Sequence, residues 1–177
     1  MNLIDTIKEI QTEFPDFKMI PKSSSKLMKA INVLLKIITF GLFKDFMVNF
    51  TTTIGNTVYT PDHWAAWPEY SQVRILKHEK IHMQQSKKYG RVLYSFLYLF
   101  FPLPFLLCYF RAKFEKEAYA ETIRVAYEQF GDKALNEAFK QFIIKQFTGP
   151  SYLWMWPFPQ SLENWYNSVV EKVKNDK

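Results

Sequence analysis

Two histidines and a glutamate lie within one five-residue segment, His78-Glu79-Lys80-Ile81-His82, which has the pattern HExxH. Residues four apart on a helix share one face, so His78 and His82 can direct two imidazole nitrogens at one cation about 2.0–2.1 Å away. Glu79 lies about 100° round the helix from His78, where a general base could take a proton from a zinc-activated water. The segment therefore predicts a hydrolytic zinc site. The alternative is a solvated helix face that matches the pattern by chance.

A long helix is predicted to carry this segment. Pro68 and Glu69 suit a first helical turn, and Gly90 suits the position after the last turn. No glycine or proline lies between them. In a projection down the helix axis, one face contains Ser71, Ile75, His78, His82 and Gln85. The opposite face contains Lys77, Lys80 and Gln84. We therefore expect the histidines to face the interior and the lysines to face solvent.

An uncharged run of nineteen residues, Val92–Phe110, follows the predicted metal helix. Its length is that of a transmembrane helix. A straight helix from His82 to Glu115 would separate those residues by about 50 Å, so a chain with a third ligand downstream must turn back. Pro102-Leu103-Pro104 is where it can do so, because proline breaks a helix. Residues 91–101 and about 105–130 are predicted to form an antiparallel helical hairpin whose apolar tip packs in the core or enters a bilayer.

The first acids after His82 are Glu115 and Glu117, followed by Glu121. A carboxylate, two neutral imidazoles and a water form a hydrolytic zinc site. At least one of the three glutamates is expected to lie on a solvated helix edge. Glu121 is the candidate for a supporting or ion-paired acid.

The segments His78–His82 and Glu115-Lys116-Glu117-Ala118-Tyr119 together resemble the glutamate-zincin metallopeptidases, with HExxH on one helix and a Glu-x-x-Ala element on a later helix. With Gln85, the pattern is also similar to small HExxHxxQ zincin-like domains of bacteria and phages. The resemblance covers roughly residues 53–126. It implies zinc held by His78, His82 and Glu115, with Glu79 as the catalytic base.

Tyr119 departs from the family pattern, since many members have an aspartate there that hydrogen-bonds a ligand histidine. Such support would come from the Tyr119 hydroxyl or from Gln85. Glu117 remains the alternative third ligand. Tyr119, Tyr152 and His63 are candidates for stabilising an oxyanion, and His63 is expected to be a loop residue outside the metal ligands.

Composition limits the class of protein. The 177 residues are 48% hydrophobic and 18% aromatic, which excludes a disordered chain. The net charge of +6 is spread along the chain without a nucleic-acid-binding motif, and so favours a membrane surface over nucleic acid. The single cysteine, Cys108, fits a reducing compartment. The acidic N-terminal segment lacks a signal-peptide pattern, so we expect a cytoplasmic protein that is peripheral to a membrane if it contacts one.

The segments before the metal helix are predicted to be two helices and a β-hairpin. Apolar residues from Leu3 to Phe14 have helical spacing. The helix Lys26–Phe40, with Ser25 as its N-cap, has a narrow polar stripe and is either a core helix or a basic helix lying on a membrane. Phe46–Thr60 is rich in β-branched and aromatic residues, and Gly55-Asn56 suits a type II′ turn. The hairpin either binds an extended peptide at its edge or is purely structural.

The whole chain, 1–177, is predicted to be one mainly helical α+β domain of zincin-like fold. An N-terminal helical extension (1–45) precedes the metal-site core (46–130). The last part (131–177) contains a helix at about 132–147, an aromatic loop and a final helix capped by Ser161. The expected function is that of a zinc metallopeptidase acting on a peptide or protein. The alternatives are a non-catalytic zinc-stabilised module and a peripheral membrane-binding module with an accidental HExxH match.

Overall fold

A computed structural model describes residues 2–41, 45–100, 108–149 and 154–176. The described residues are mainly helical with one small three-stranded sheet, so the predicted α+β class is confirmed. The chain forms two compact units, 1–83 and 84–177, whose boundary falls within one helix. The assignment of the whole chain to one domain stays a prediction.

The first unit alternates helices with short strands. Its elements, in chain order, are α1 (Leu3–Glu13), β1 (Lys18–Pro21), α2 (Lys26–Ile38), α3 (Phe46–Asn49), β2 (Thr52–Ile54), β3 (Thr57–Thr60) and the start of α4 (Glu69–Tyr89). Asn2 caps α1 by accepting a hydrogen bond from the Asp5 amide, and Ser25 caps α2 as predicted. Phe46–Asn49 is a short helix, so the β-rich segment begins later than its composition indicates.

The sheet has the strand order β1-β3-β2. The predicted hairpin is confirmed, because β2 and β3 are antiparallel with Thr53 opposite Val58. Gly55 has a φ of 59° and Asn56 does not share this positive value, which is the type II′ pattern. Strand β1 pairs with β3 in parallel and was not predicted from the sequence.

Apolar side chains from α1, β3, α4 and the segments that connect these elements form the core of the first unit. They are Ile10, Phe14, Phe17, Val58, Trp64, Leu76 and Met83. Ion pairs lie beside this core: Glu9 accepts hydrogen bonds from Lys77 at 2.5 Å and from Lys80 at 2.8 Å. The prediction that these two lysines face solvent was wrong, because the acids of α1 hold them and Lys77 is buried.

Helices form the second unit. They are the end of α4, α5 (Arg91–Phe100), α6 (Tyr109–Phe130), α7 (Glu137–Thr148) and α8 (Pro159–Asn175). Gly90, with a φ of 80°, follows the last turn of α4 as predicted. Among the described residues of this unit, ten buried ones form its core: Cys108, Ala112, Tyr119, Ile123, Ile143, Ile144, Phe147, Met155, Leu162 and Tyr166.

Helices α5 and α6 pack against each other in opposite directions, as predicted. Tyr94 contacts Phe114, and Arg111 donates to the carbonyl oxygen of Tyr98. The predicted turn at Pro102-Leu103-Pro104 lies outside the described residues. Within the described parts of the chain, none of the helices has both the length and the apolar character needed to cross a bilayer.

The C-terminal elements differ slightly from their predicted bounds. Residues 131–135 form a 3-10 turn, and α7 begins after Asn136, whose side chain accepts from the Phe139 amide. Helix α8 begins at Pro159, so the prediction that Ser161 caps it was wrong, because Ser161 lies in its first turn. Pro159 suits the start of a helix because its missing N–H needs no partner there. In the aromatic loop, Met155 is buried in the core and Trp154 is exposed, whereas Tyr152 is outside the described residues.

Candidate metal centre

His78 and His82 occupy successive turns of α4 and are both buried. Their Nε2 atoms are 3.2 Å apart, and the two rings are inclined by 77°. Two zinc–nitrogen bonds of about 2.0–2.1 Å at a tetrahedral angle would hold the nitrogens about 3.3 Å apart. The spacing of the two imidazoles therefore suits one zinc ion. In a metal-free protein the same spacing allows one ring to donate a hydrogen bond to the other.

Glu79 is buried, and both of its carboxylate oxygens accept hydrogen bonds from threonines that flank the start of β2. The Thr51 hydroxyl donates to Oε1 at 2.5 Å, and the Thr53 hydroxyl donates to Oε2 at 2.7 Å. Residues two apart on an extended chain face the same side, which is why both threonines reach one carboxylate. The carboxylate is thus held in one orientation beside the edge of the sheet.

A buried lysine lies near Glu79. Lys22 is 0% exposed, donates to the Phe46 carbonyl oxygen at 2.6 Å and lies 3.7 Å from the centroid of the Phe46 ring. Burial lowers the pKa of Lys22 to about 7, and the negative charge of Glu79 partly opposes this shift. A second titratable group therefore accompanies the candidate base.

Glu115 is a buried carboxylate on α6. The Tyr98 hydroxyl of α5 donates a short hydrogen bond to Glu115 Oε1. Burial, and then the nearby charge of Glu115, raises the pKa of Tyr98 well above its usual value, so this phenol stays protonated and can donate. A carboxylate oriented by such a donor is the arrangement expected of a metal ligand with outer support.

Gln85 and Glu117 interact with each other on the C-terminal side of the HExxH segment. Gln85 Nε2 donates to the Phe114 carbonyl oxygen at 3.0 Å and to Glu117 Oε2 at 2.9 Å. These bonds pack the last turns of α4 onto α6.

One group of three side chains among the described residues could hold a metal ion. His78, His82 and Glu115 are all buried, and one ligand atom from each lies within 4.8 Å of the others. Glu117 is not in this group. Tyr119 packs its ring against Phe147 in the helical core, and His63 contacts Trp67 in an exposed loop.

Three features of the site were not predicted from the sequence. Lys22 was in no predicted element, Tyr98 was part of an apolar run, and the two threonines were treated only as strand-forming. A lysine beside a strand and a lone tyrosine in an apolar helix give no local signal of function. The spacing of Thr51 and Thr53 next to a hairpin was the one usable pattern, because residues two apart place two hydroxyls on one side of a strand.

Comparison of the chain with protein-family models, with curated proteins and with solved structures found no match. The functional assignment therefore depends on the residues of the site and their geometry.

Proposed function

We propose that the protein is a zinc-dependent hydrolase of peptide bonds, as its resemblance to the glutamate-zincins implies. The observation that carries the proposal is the buried group of His78, His82 and Glu115. Glu79 follows the first ligand directly and is itself buried and hydrogen-bonded.

The donor set fits zinc. Two neutral imidazoles and one carboxylate are a common set of protein ligands for a hydrolytic zinc ion, and they leave a fourth position open. The 3.2 Å separation of the histidine nitrogens matches the separation that zinc would require. When bound, the ion would supply a Lewis acid that polarises a carbonyl group and makes water more acidic.

Glu79 is the proposed general base. Its carboxylate accepts a proton from the attacking water and then delivers that proton to the leaving amine. Thr51 and Thr53 fix the orientation of the carboxylate, and Lys22 provides a positive charge close to it when protonated. Tyr98 holds Glu115 in place from the side of α5.

The edge of the sheet supports an extended peptide as the substrate. Of the described strands, β2 has a neighbour, β3, on one side only. An edge strand offers backbone N–H and C=O groups that can pair with an added strand. Because Thr51 and Thr53 of this edge bind Glu79, a peptide added to β2 would lie next to the candidate base.

The proposal is tested with zinc-loaded protein and an internally quenched peptide library, with cleavage products identified by mass spectrometry. Glu79→Gln is the reference, since it keeps the size of the side chain and removes the base. We expect cleavage by the wild type only, with both proteins folded and containing metal. A zinc-loaded wild type that cleaves no peptide faster than Glu79→Gln would refute the hydrolase and favour a zinc-stabilised structural module.

We also propose a cytoplasmic location. The one cysteine of the chain, Cys108, is a buried thiol, and burial raises its pKa. A buried thiol of this kind does not react readily and suits a reducing compartment.

A further inference from the structure

Helix α2 exposes most of its apolar side chains. Met28 is the one residue of α2 that is fully buried. Six large apolar side chains of the helix and its C-terminal end are exposed: Leu27, Val33, Leu34, Ile37, Ile38 and Phe40. The sequence allowed a core helix or a surface helix, and these exposures favour the surface helix.

The exposed side chains of α2 form one continuous stripe. At about 100° per residue, the stripe from Val33 through Ile37 and Leu34 to Ile38 covers an arc of about 140°. Lys29 and Lys36 lie together along one border of this arc, and Lys26 lies at its N-terminal end. The helix contains these three lysines and no acidic residue. It is therefore amphipathic, with a basic border.

Phe40 continues the stripe at the C-terminal end of the helix. The Gly41 amide donates to the Lys36 carbonyl oxygen at 2.7 Å, which places Phe40 at the left-handed position of a helix-ending motif. Phe40 has a φ of 50° and is 95% exposed. A bulky residue is disfavoured by about 1 kcal/mol or more in this conformation, where glycine is the usual residue. A fully exposed phenylalanine here has no role in the core of the unit.

The lysines beside the apolar stripe indicate which kind of partner would cover it. Lysine side chains at the border of an apolar helix face can bury their methylene groups and place their ammonium groups at lipid phosphates. An anionic membrane complements both parts of this surface. Its acyl chains can cover the apolar stripe, and its headgroups can bind the lysines. The chain as a whole carries a net charge of +6, which adds to the attraction.

We propose that α2 and Phe40 dock the protein onto an anionic lipid surface, with the helix lying in the plane of the headgroups. The 13 residues of α2 would extend about 20 Å along that surface. This surface does not depend on the proposed hydrolase activity, because none of its residues belongs to the metal centre.

The test is flotation of the full chain with vesicles of phosphatidylcholine alone or with 30% phosphatidylserine added, at low and high salt. Binding is expected to the anionic vesicles and to weaken as salt rises. Ile37→Ser should reduce the affinity about tenfold, because it removes one apolar side chain from the buried stripe. Ile4→Ser on α1 is the matched control, since Ile37 is 66% exposed and Ile4 is 65% exposed.

A charge reversal tests the electrostatic part. Lys36→Glu should reduce binding to anionic vesicles about tenfold, because it replaces an attracted charge with a repelled one. Lys8→Glu, at an exposed position on α1, should have a smaller effect. No binding to anionic vesicles at low salt, or equal losses for Ile37→Ser and Ile4→Ser, would overturn the proposal. A wild-type dimer in sedimentation that Ile37→Ser converts to a monomer, without vesicle binding, would assign the stripe to a second copy instead.

Discussion

Replacing Lys22 by methionine gives a stability difference that depends on pH in a defined direction. The amine is fully buried, and burial lowers its pKa to about 7 against an ordinary value of 10.5. Methionine has nearly the same length and cannot be protonated. Between pH 10.5 and 7 the unfolded wild-type chain takes up a proton on Lys22 that the folded chain does not. The wild type therefore loses stability relative to Lys22→Met as pH falls through this window, and the difference becomes constant below about pH 7.

The size of the effect follows from linkage. Each pH unit in the window changes the free energy of unfolding by about 1.4 kcal/mol per proton. Between pH 7 and pH 9, the wild type should gain about 2 kcal/mol relative to the variant, because half of the folded molecules still carry the proton at pH 7. The negative charge of Glu79 raises the pKa of Lys22. In a Glu79→Gln background the window should therefore extend below pH 7.

The assay is urea denaturation followed by circular dichroism at half-unit steps from pH 6.5 to 9.5, for wild type and Lys22→Met under the same metal conditions. Lys18→Met, at an exposed position on β1, controls for the loss of one positive charge. A difference between wild type and Lys22→Met that stays flat from pH 7 to 9 would show that the folded protein keeps Lys22 protonated. That result would refute the reasoning.

Two further predictions concern individual acids. Glu115→Ala should abolish stoichiometric zinc binding and Glu117→Ala should keep it, because Glu115 belongs to the buried group with the two histidines whereas Glu117 accepts a hydrogen bond from Gln85. The zinc content of both purified variants tests this. The reverse pattern would make Glu117 the third ligand. Glu9→Gln should lower the free energy of unfolding by about 1–2 kcal/mol near neutral pH, because buried Lys77 loses its partner. Partial burial raises the pKa of Glu9, but hydrogen bonds from the two lysines of α4 give a net lowered pKa. The stabilisation by Glu9 should therefore be present above the ordinary carboxyl pKa and disappear as pH falls through the lowered pKa. Urea titrations measure the difference in free energy of unfolding between wild type and Glu9→Gln. A difference that stays constant as the pH becomes acidic would contradict the prediction.

Local signals predicted most of the elements. Ser25 caps α2, Gly55 turns the hairpin and Gly90 ends α4, and each effect depends on the residue and its immediate neighbours. The HExxH pattern likewise depends on the fixed geometry of one helix turn. For that reason the positions of His78 and His82 relative to each other could be predicted from spacing alone.

Long-range contacts could not be predicted in this way. Strand β1 pairs with a strand about forty residues later, and nothing in the segment near Lys22 indicates that partner. Lys77 was assigned to the solvent face because the acid that binds it, Glu9, belongs to a separate helix. Tyr98 lies in an apolar run that predicts helix without showing which hydroxyl meets a carboxylate.

The orientation of α2 illustrates the same limit. Its pattern of lysines and apolar residues is the same whether the wide apolar face packs in a core or meets a lipid surface. Only the packing of the rest of the chain decides, and it leaves the apolar stripe exposed.

The most direct test of the metal centre is the zinc content of protein purified without an affinity tag or added metal, measured beside His78→Ala. We predict about one zinc ion per wild-type chain and a loss of that zinc in the variant, because one imidazole and a carboxylate cannot complete the site. A folded wild type that contains no zinc and cannot bind it when zinc is supplied would contradict the metal centre, and with it the proposed hydrolase.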